Sequence, residues 1–395
     1  MKYDNVMFNY DFISVENSAL TSIWQKESKM NVTWDSKNLT KWETQIVTHS
    51  GRFHADEIFS VALLMLLRIT CMNYGLGSDE PVKFDPYSLN GKVIRRPQGL
   101  NPDDEEDKEI YKTCVVLDIE NGHFDHHHKN QDNCPIDDDS NHRFLPTYKE
   151  RMATILQLWN AIGHCFDLKT DAEIPTNTYD RIWEFLAPIS LQDINGPAKF
   201  KSPISQIISN INGYTEFDFD FVDPSKFEDY QMAKFSEAVM MAYKILRQQI
   251  IREQLFVKSL IEIKEKTELS LITKEIGCCR IRQVAPGEKE PKVDLEALKY
   301  TSFRDTPIYM LINENPSDRD GTFRIIMVDS EKCRFDKSLL TKDVPGKVFI
   351  HPDCFMMTFK TLNNLNNFIS TCHIETALRL NGDGENNVFL ISSSC

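Results

Sequence analysis

The chain has 395 residues and a formal net charge of −14, with 41% hydrophobic and 26% charged residues. This is the composition of an ordinary globular protein, long enough for two or three domains. The acidic balance argues against a broad basic surface for nucleic acid, and the most apolar run, Ile58 to Leu67, is too short to span a membrane.

Residues 1–42 mix aromatic and polar side chains without a period. They read as an N-terminal arm that packs on the main domain or on a partner. The start, MKYDNVMFNYDF, lacks the regions of a signal peptide and the Arg-rich pattern of a transit peptide. The 10 cysteines are scattered with no CxxC, so they read as reduced thiols. Cytoplasm is the default compartment on these grounds, with nucleus and organelles left open.

A main domain is expected over 43–224. Gln45 to Thr48 reads as a strand, His49 to Phe53 as a Gly-containing turn and Asp56 to Ile69 as a buried helix with two acids in its first turn. His49, His54 and Asp56 put three metal-ligand side chains within eight residues, where strand gives way to helix. Taken singly, each is more often a core histidine or a helix-cap acid; together they point to a metal. Lys92 to Arg96 is expected to be a strand carrying Arg95 and Arg96, and Asn101 to Glu109 a solvated acidic loop.

Thr113 to Leu117 is a β-branched strand that delivers Asp118 at its carboxyl end, where open α/β sheets bind ligands. The following stretch, LDIENGHFDHHHK, adds Asp125 and four histidines, His123, His126, His127 and His128. Carboxylates with imidazoles suit Mn, Fe, Co or Zn. Helices are expected over Tyr148–Phe166, Tyr179–Leu191 and Pro203–Ile211, with Asp193 before the Asn195-Gly196 turn as a last candidate ligand. A helical connector covers 225–265. From 266 onward, short turn-bounded strands and a helix over Lys360–Ile369 describe a smaller α+β domain, with a second helix over Glu375–Leu380.

Two segments, THSGRFHADE (Thr48 to Glu57) and FDHHHK (Phe124 to Lys129), occur in this order with a later Asp. Together they resemble the DHH phosphoesterase superfamily. The closest branch is the metal-dependent RNA exonuclease family named after the melanocyte proliferating gene. The resemblance runs from about residue 45 to about 370 and takes in VFIHPDCF (Val348 to Phe355). It implies a five-stranded parallel sheet flanked by helices, with a smaller domain closing over a two-metal site, usually Mn²⁺, Mg²⁺ being an alternative. By motif position, the ligands would be His49, His54, Asp56, Asp118, His126 and Asp193. His127 would donate to the substrate phosphate and Asp125 would orient its neighbours. Arg95, Arg96 and His351 are candidate substrate contacts.

The leading expectation is an α/β phosphodiesterase that trims single-stranded RNA or DNA, in the manner of a 3′–5′ exoribonuclease. Two other readings stay open. One is a phosphoesterase for pyrophosphate, nucleoside bisphosphates or cyclic dinucleotides. The other is a non-catalytic scaffold that binds metal or nucleotide. No membrane partner is expected, and a homo-oligomer is left open.

Overall fold

The computed structural model describes residues 30, 34–76, 89, 91–125, 153–166, 178–195, 202–212, 227–272, 276–281, 293–314, 321–330, 333–370 and 378–380. These fall into two compact units divided between Gln254 and Leu255.

The first unit is built on β1 (Ile46–His49), α1 (Ala55–Leu76), β2 (Val93–Arg96), α2 (Glu105–Thr113) and β3 (Val115–Val116). The three strands form a parallel sheet in the order β2-β1-β3. β1 is central, and its Ile46 and Val47 are fully buried. Parallel strands need a covered face on each side, which is why this sheet reads as short unbroken apolar runs. The five parallel strands implied by the resemblance compare with three here among the described residues.

As its composition requires, α1 is buried all round. Ile58, Phe59 and every residue from Val61 to Leu67 have almost no exposure, each such side chain contributing about 1.5–3 kcal/mol through burial. Beyond the two acids of its first turn, one charge sits in this apolar helix. Arg68 is fully buried, and its guanidinium donates to the carbonyls of Asn38, Leu39 and Thr44. These carbonyls belong to the N-terminal arm and the approach to β1, so Arg68 clamps the arm. Burial pulls its pKa down to about 10, with Glu43 acting in the opposite direction, and it stays charged at neutral pH. Met30, Trp34 and Leu39 enter the same core, and the Trp34 indole donates to the Cys114 carbonyl at 3.2 Å. The described residues of the arm pack on the main unit.

Helices α3 (Thr154–Ile162), α4 (Thr178–Asn195) and α5 (Pro203–Asn212) complete this unit together with the first part of α6 (Phe227–Lys266). One expectation is overturned. The acidic run is not a solvated loop, because Glu105 to Asp107 form the first turn of α2. The Asp104 side chain caps that turn, accepting from the amides of Glu106 and Asp107. Acids cluster at helix N-termini because free N–H groups and the dipole favour negative charge there, and that preference outweighed the charge repulsion.

The second unit contains a mixed sheet in the order β10-β11-β8-β7-β5-β4, with a short strand β6 also pairing with β7. Its strands are β4 (Thr267–Leu271), β5 (Gly277–Ile281), β6 (Ser302–Phe303), β7 (Thr306–Glu314), β8 (Phe323–Met327), β10 (Lys347–Ile350) and β11 (Met356–Phe359). Cys278, Met310 and Ile312 pack on one face with α8 (Leu362–Ser370), while Cys279 and Leu311 pack on the other with α7 (Leu295–Lys299) and the end of α6. This period-two division is what strands covered on both faces require. A second correction falls here. Leu378–Leu380 is not helical but a strand, β12, antiparallel to β9 (Cys333–Phe335). A short apolar segment has no period of its own, and pairing with a distant strand decided it.

Candidate metal centre

Two strand ends bring the site together. β1 ends at His49, and the Ser50 amide still donates to the Arg96 carbonyl, so the loop leaves the sheet in line with β2. Gly51 turns the chain at φ 84, a left-handed conformation that Gly adopts without strain. The Asn212 amide holds the loop through the Phe53 carbonyl. His54 then stands at the start of α1, its carbonyl accepting from the Ile58 amide.

Next to β1, the chain leaves β3 at Leu117, and Asp118 adopts φ 54. Asp tolerates this region better than most residues. The turn lets the chain fold back, with the Asp118 amide donating to the Phe124 carbonyl at 2.8 Å. Gly122 is required here, because a Cβ would meet the Ile119 carbonyl oxygen at 2.8 Å and the Val116 Cγ1 at 2.9 Å.

His49, His54 and Asp118 thus present ligand atoms that all lie within 4.8 Å of one another. Two ion–donor bonds of about 2.2 Å laid end to end reach about 4.4 Å, so small adjustments would seat a cation. The donor set also fits: the His49 Nδ1–H donates to the Ser50 carbonyl at 3.0 Å, which leaves Nε2 to carry the lone pair. That nitrogen lies 3.3 Å from Asp118 Oδ2 and 3.1 Å from Glu57 Oε2. Burial alone would lower the His49 pKa, but the two carboxylates outweigh it and raise it to about 11. A metal would compete with that proton for the same lone pair.

Asp56 is placed elsewhere. Both of its oxygens accept backbone amides, Thr154 at 3.0 Å and Ile155 at 2.8 Å, so it caps α3 from across the unit. The α3 N-cap residue, Ala153, has no side-chain bond to offer. Asp56 is fully buried in this role and is not part of the ligand triad. Its neighbour Glu57 is the acid at the site, a residue the sequence reading noted only as a first-turn acid. Helix geometry is the signal that was available: residues three apart share a face and residues two apart do not. Glu57 therefore lines up with His54, while Asp56 reaches Thr154, whose hydroxyl in turn bonds Asp118 Oδ1 at 3.3 Å.

The two arginines also part company. Arg96 grips Asp107 through both guanidinium ends, at 2.6 and 3.3 Å, and its Nε donates to the Gln98 carbonyl. Burial would raise the Asp107 pKa, but Arg96 and the Asn101 amide hold it below the usual carboxylate range. Arg96 lines a cleft of about 410 Å³ with His49, His54, Asp118, Gln98 and Glu120. Arg95 does not line it. Its side chain is 7% exposed, packs on Phe53 and Phe235, and donates to the Gly51 carbonyl at 3.1 Å.

His123 is structural. Its ring lies between Trp34 and Tyr111, at 4.2 and 4.0 Å between centroids, and its Nδ1 accepts the Val116 amide. That amide points away from β1, so the imidazole stands in for a neighbouring strand. Asp125 is buried and accepts the Asn121 amide at 3.1 Å, bracing the turn that carries Asp118. His351 belongs to the second unit, where it packs on Phe355 and its Nδ1 accepts the Asp353 amide. His126, His127, His128 and the Asp193 side chain lie outside the described residues.

No helix among the described residues is long and apolar enough to cross a membrane. A scan against protein-family models and searches of curated proteins and of solved structures return no match to this chain.

Proposed function

We propose that this chain is a metal-dependent phosphodiesterase acting on the ends of single-stranded RNA or DNA, with a two-ion Mn²⁺ centre. One observation carries the reading: His49, His54 and Asp118 converge at the carboxyl ends of adjacent parallel strands, in a cleft that Arg96 lines. The resemblance of the THSGRFHADE and FDHHHK segments to DHH phosphoesterases points the same way. In this reading His126 and Asp193 add ligands and His127 donates to a substrate phosphate.

Bound divalent ions would supply an activated water and stabilise charge on the phosphoryl oxygens. The chain's own part is orientation. Ser50 fixes the His49 tautomer, Asp125 braces the turn under Asp118, and Asp107 holds the Arg96 fork. Three of the five Arg96 N–H donors are used within the protein, leaving two for phosphate oxygens.

The size of the cleft favours a second reading, a nucleotide-sized phosphoester as substrate, since about 410 Å³ falls within the range of small-ligand sites. Incubating labelled single-stranded RNA and DNA of several lengths with Mn²⁺ tests both. Trimming that His49→Ala and Asp118→Ala each reduce by about 100-fold or more supports the nuclease. Intact strands alongside hydrolysed dinucleotides or nucleoside bisphosphates support the second reading. No metal-dependent hydrolysis of any of these substrates refutes both.

A further inference from the structure

We propose that Glu57 is a fourth donor of the metal centre and that Thr48 and Arg95 hold it in place; the inference rests on the metal-centre reading above. Glu57 has no solvent exposure, yet its Oε2 lies 3.1 Å from His49 Nε2. The same nitrogen faces Asp118 Oδ2 at 3.3 Å. Because His49 Nδ1 is committed to the Ser50 carbonyl, a neutral ring would aim its lone pair at two carboxylate oxygens. A proton on Nε2 bridges these atoms when no metal is bound, and a divalent ion that displaces it meets the same donors. A divalent ion satisfies all three, and Glu57 then joins the triad through its contact with His49.

The other Glu57 oxygen shows how the carboxylate is oriented. Oε1 accepts the Thr48 hydroxyl, and Arg95 Nη2 stands 3.8 Å away. A carboxylate beside an arginine frequently forms a close bidentate pair with it. Here the arginine instead spends an N–H on the Gly51 carbonyl and is wedged against Phe53 and Phe235. Arg95 thus balances the charge of Glu57 at a distance and leaves Oε2 directed at His49. It also ties Gly51, in the loop between His49 and His54, to that carboxylate. On this view Arg95 is a positioning residue for the centre and not a phosphate contact.

The test is Mn²⁺ binding by the full chain, read both as a titration and as the rise in Tm that the ion produces. A ligand that binds only the folded state raises stability by an amount that grows with the logarithm of its concentration over Kd. Glu57→Gln keeps an acceptor for Thr48 and removes the charge; it is expected to weaken Mn²⁺ by about 10- to 100-fold and to shrink the Mn²⁺-induced rise. A merely structural Glu57 would lower Tm equally with and without the ion. Arg95→Lys is expected to keep more Mn²⁺ affinity than Arg95→Met, because it retains the charge. Should Glu57→Gln fail to fold, Glu57→Asp, which withdraws the oxygens by one methylene, is read in the same way. If wild type responds to Mn²⁺ and His49→Ala does not, while the Glu57 variant binds like wild type, the centre stands and this proposal is overturned. If the wild-type chain itself shows no Mn²⁺ response, the metal-centre reading falls, and the Glu57 assignment with it.

Discussion

Replacing Asp56 separates its two possible duties most directly. Its carboxylate accepts the Thr154 and Ile155 amides at 3.0 and 2.8 Å, fully buried, at the N-terminus of α3. Hydrogen bonds to a charged acceptor contribute about 1.5–3 kcal/mol each, and a favourable buried charge at a helix end adds up to about 2 kcal/mol. Asp56→Asn keeps one carbonyl oxygen but loses one bond and the charge, a cost of about 2–4 kcal/mol on the same principles. For a unit of this size that lowers Tm by about 5–15 °C. The same variant is expected to weaken Mn²⁺ by well under tenfold, since Asp56 reaches the triad only through Thr154, whose hydroxyl bonds Asp118. Thermal unfolding and Mn²⁺ titration of one preparation decide it. A variant with unchanged Tm that has lost tenfold or more in Mn²⁺ affinity would refute the capping role and return Asp56 to the ligand set.

Three further outcomes are expected. Burial pushes the His123 pKa down to about 3, while the unfolded ring titrates near 6.5. Between those values only the unfolded chain takes the proton, so stability is full above about pH 6.5 and falls as pH drops, by up to about 1.4 kcal/mol per unit. The rings against it, Trp34 and Tyr111, bring no charge. Urea unfolding of wild type and His123→Phe at pH 7 and pH 5 measures the difference, and identical pH slopes would sink the assignment. Arg68→Met leaves three carbonyls without their donor and is expected to cost about 3 kcal/mol. Hydrogen exchange should show lost protection concentrated in residues 34–44; uniform loss would contradict the clamp. Arg96→Met is expected to raise KM for a phosphoester substrate by about tenfold with Mn²⁺ affinity unchanged, and an unaltered KM would remove Arg96 from the substrate site.

Much of the site was legible because its parts are local. The apolar runs around Ile46 and Val115 form strands in short-range patterns, and a histidine or acid at a strand end must emerge at the sheet's edge. His49 and Asp118 were found by this rule, and His54 by its place at the mouth of an apolar helix. The burial of α1 follows from its composition alone.

Chain order alone does not divide roles among neighbours of like chemistry, and there the tertiary structure decided. Asp56 and Glu57 are adjacent acids in one helical turn. Which one faces the strand ends depends on the rotation of α1 against the sheet, and the other is claimed by the N-terminus of α3, 98 residues away. Arg95 and Arg96 alternate across β2 as any strand pair does. Only the packing of Phe235 and the arrival of Asp107 on α2 made one a buried post and the other a cleft wall. His123 sits in the histidine-rich stretch LDIENGHFDHHHK, but an amide on β3 and the rings of Trp34 and Tyr111 enclose it. Residue type determined which groups are able to bind a cation, because donor chemistry belongs to the side chain. Their assignment to ligand, cap, clamp or strut was made by partners distant in sequence, because a buried polar group takes its role from whatever satisfies it.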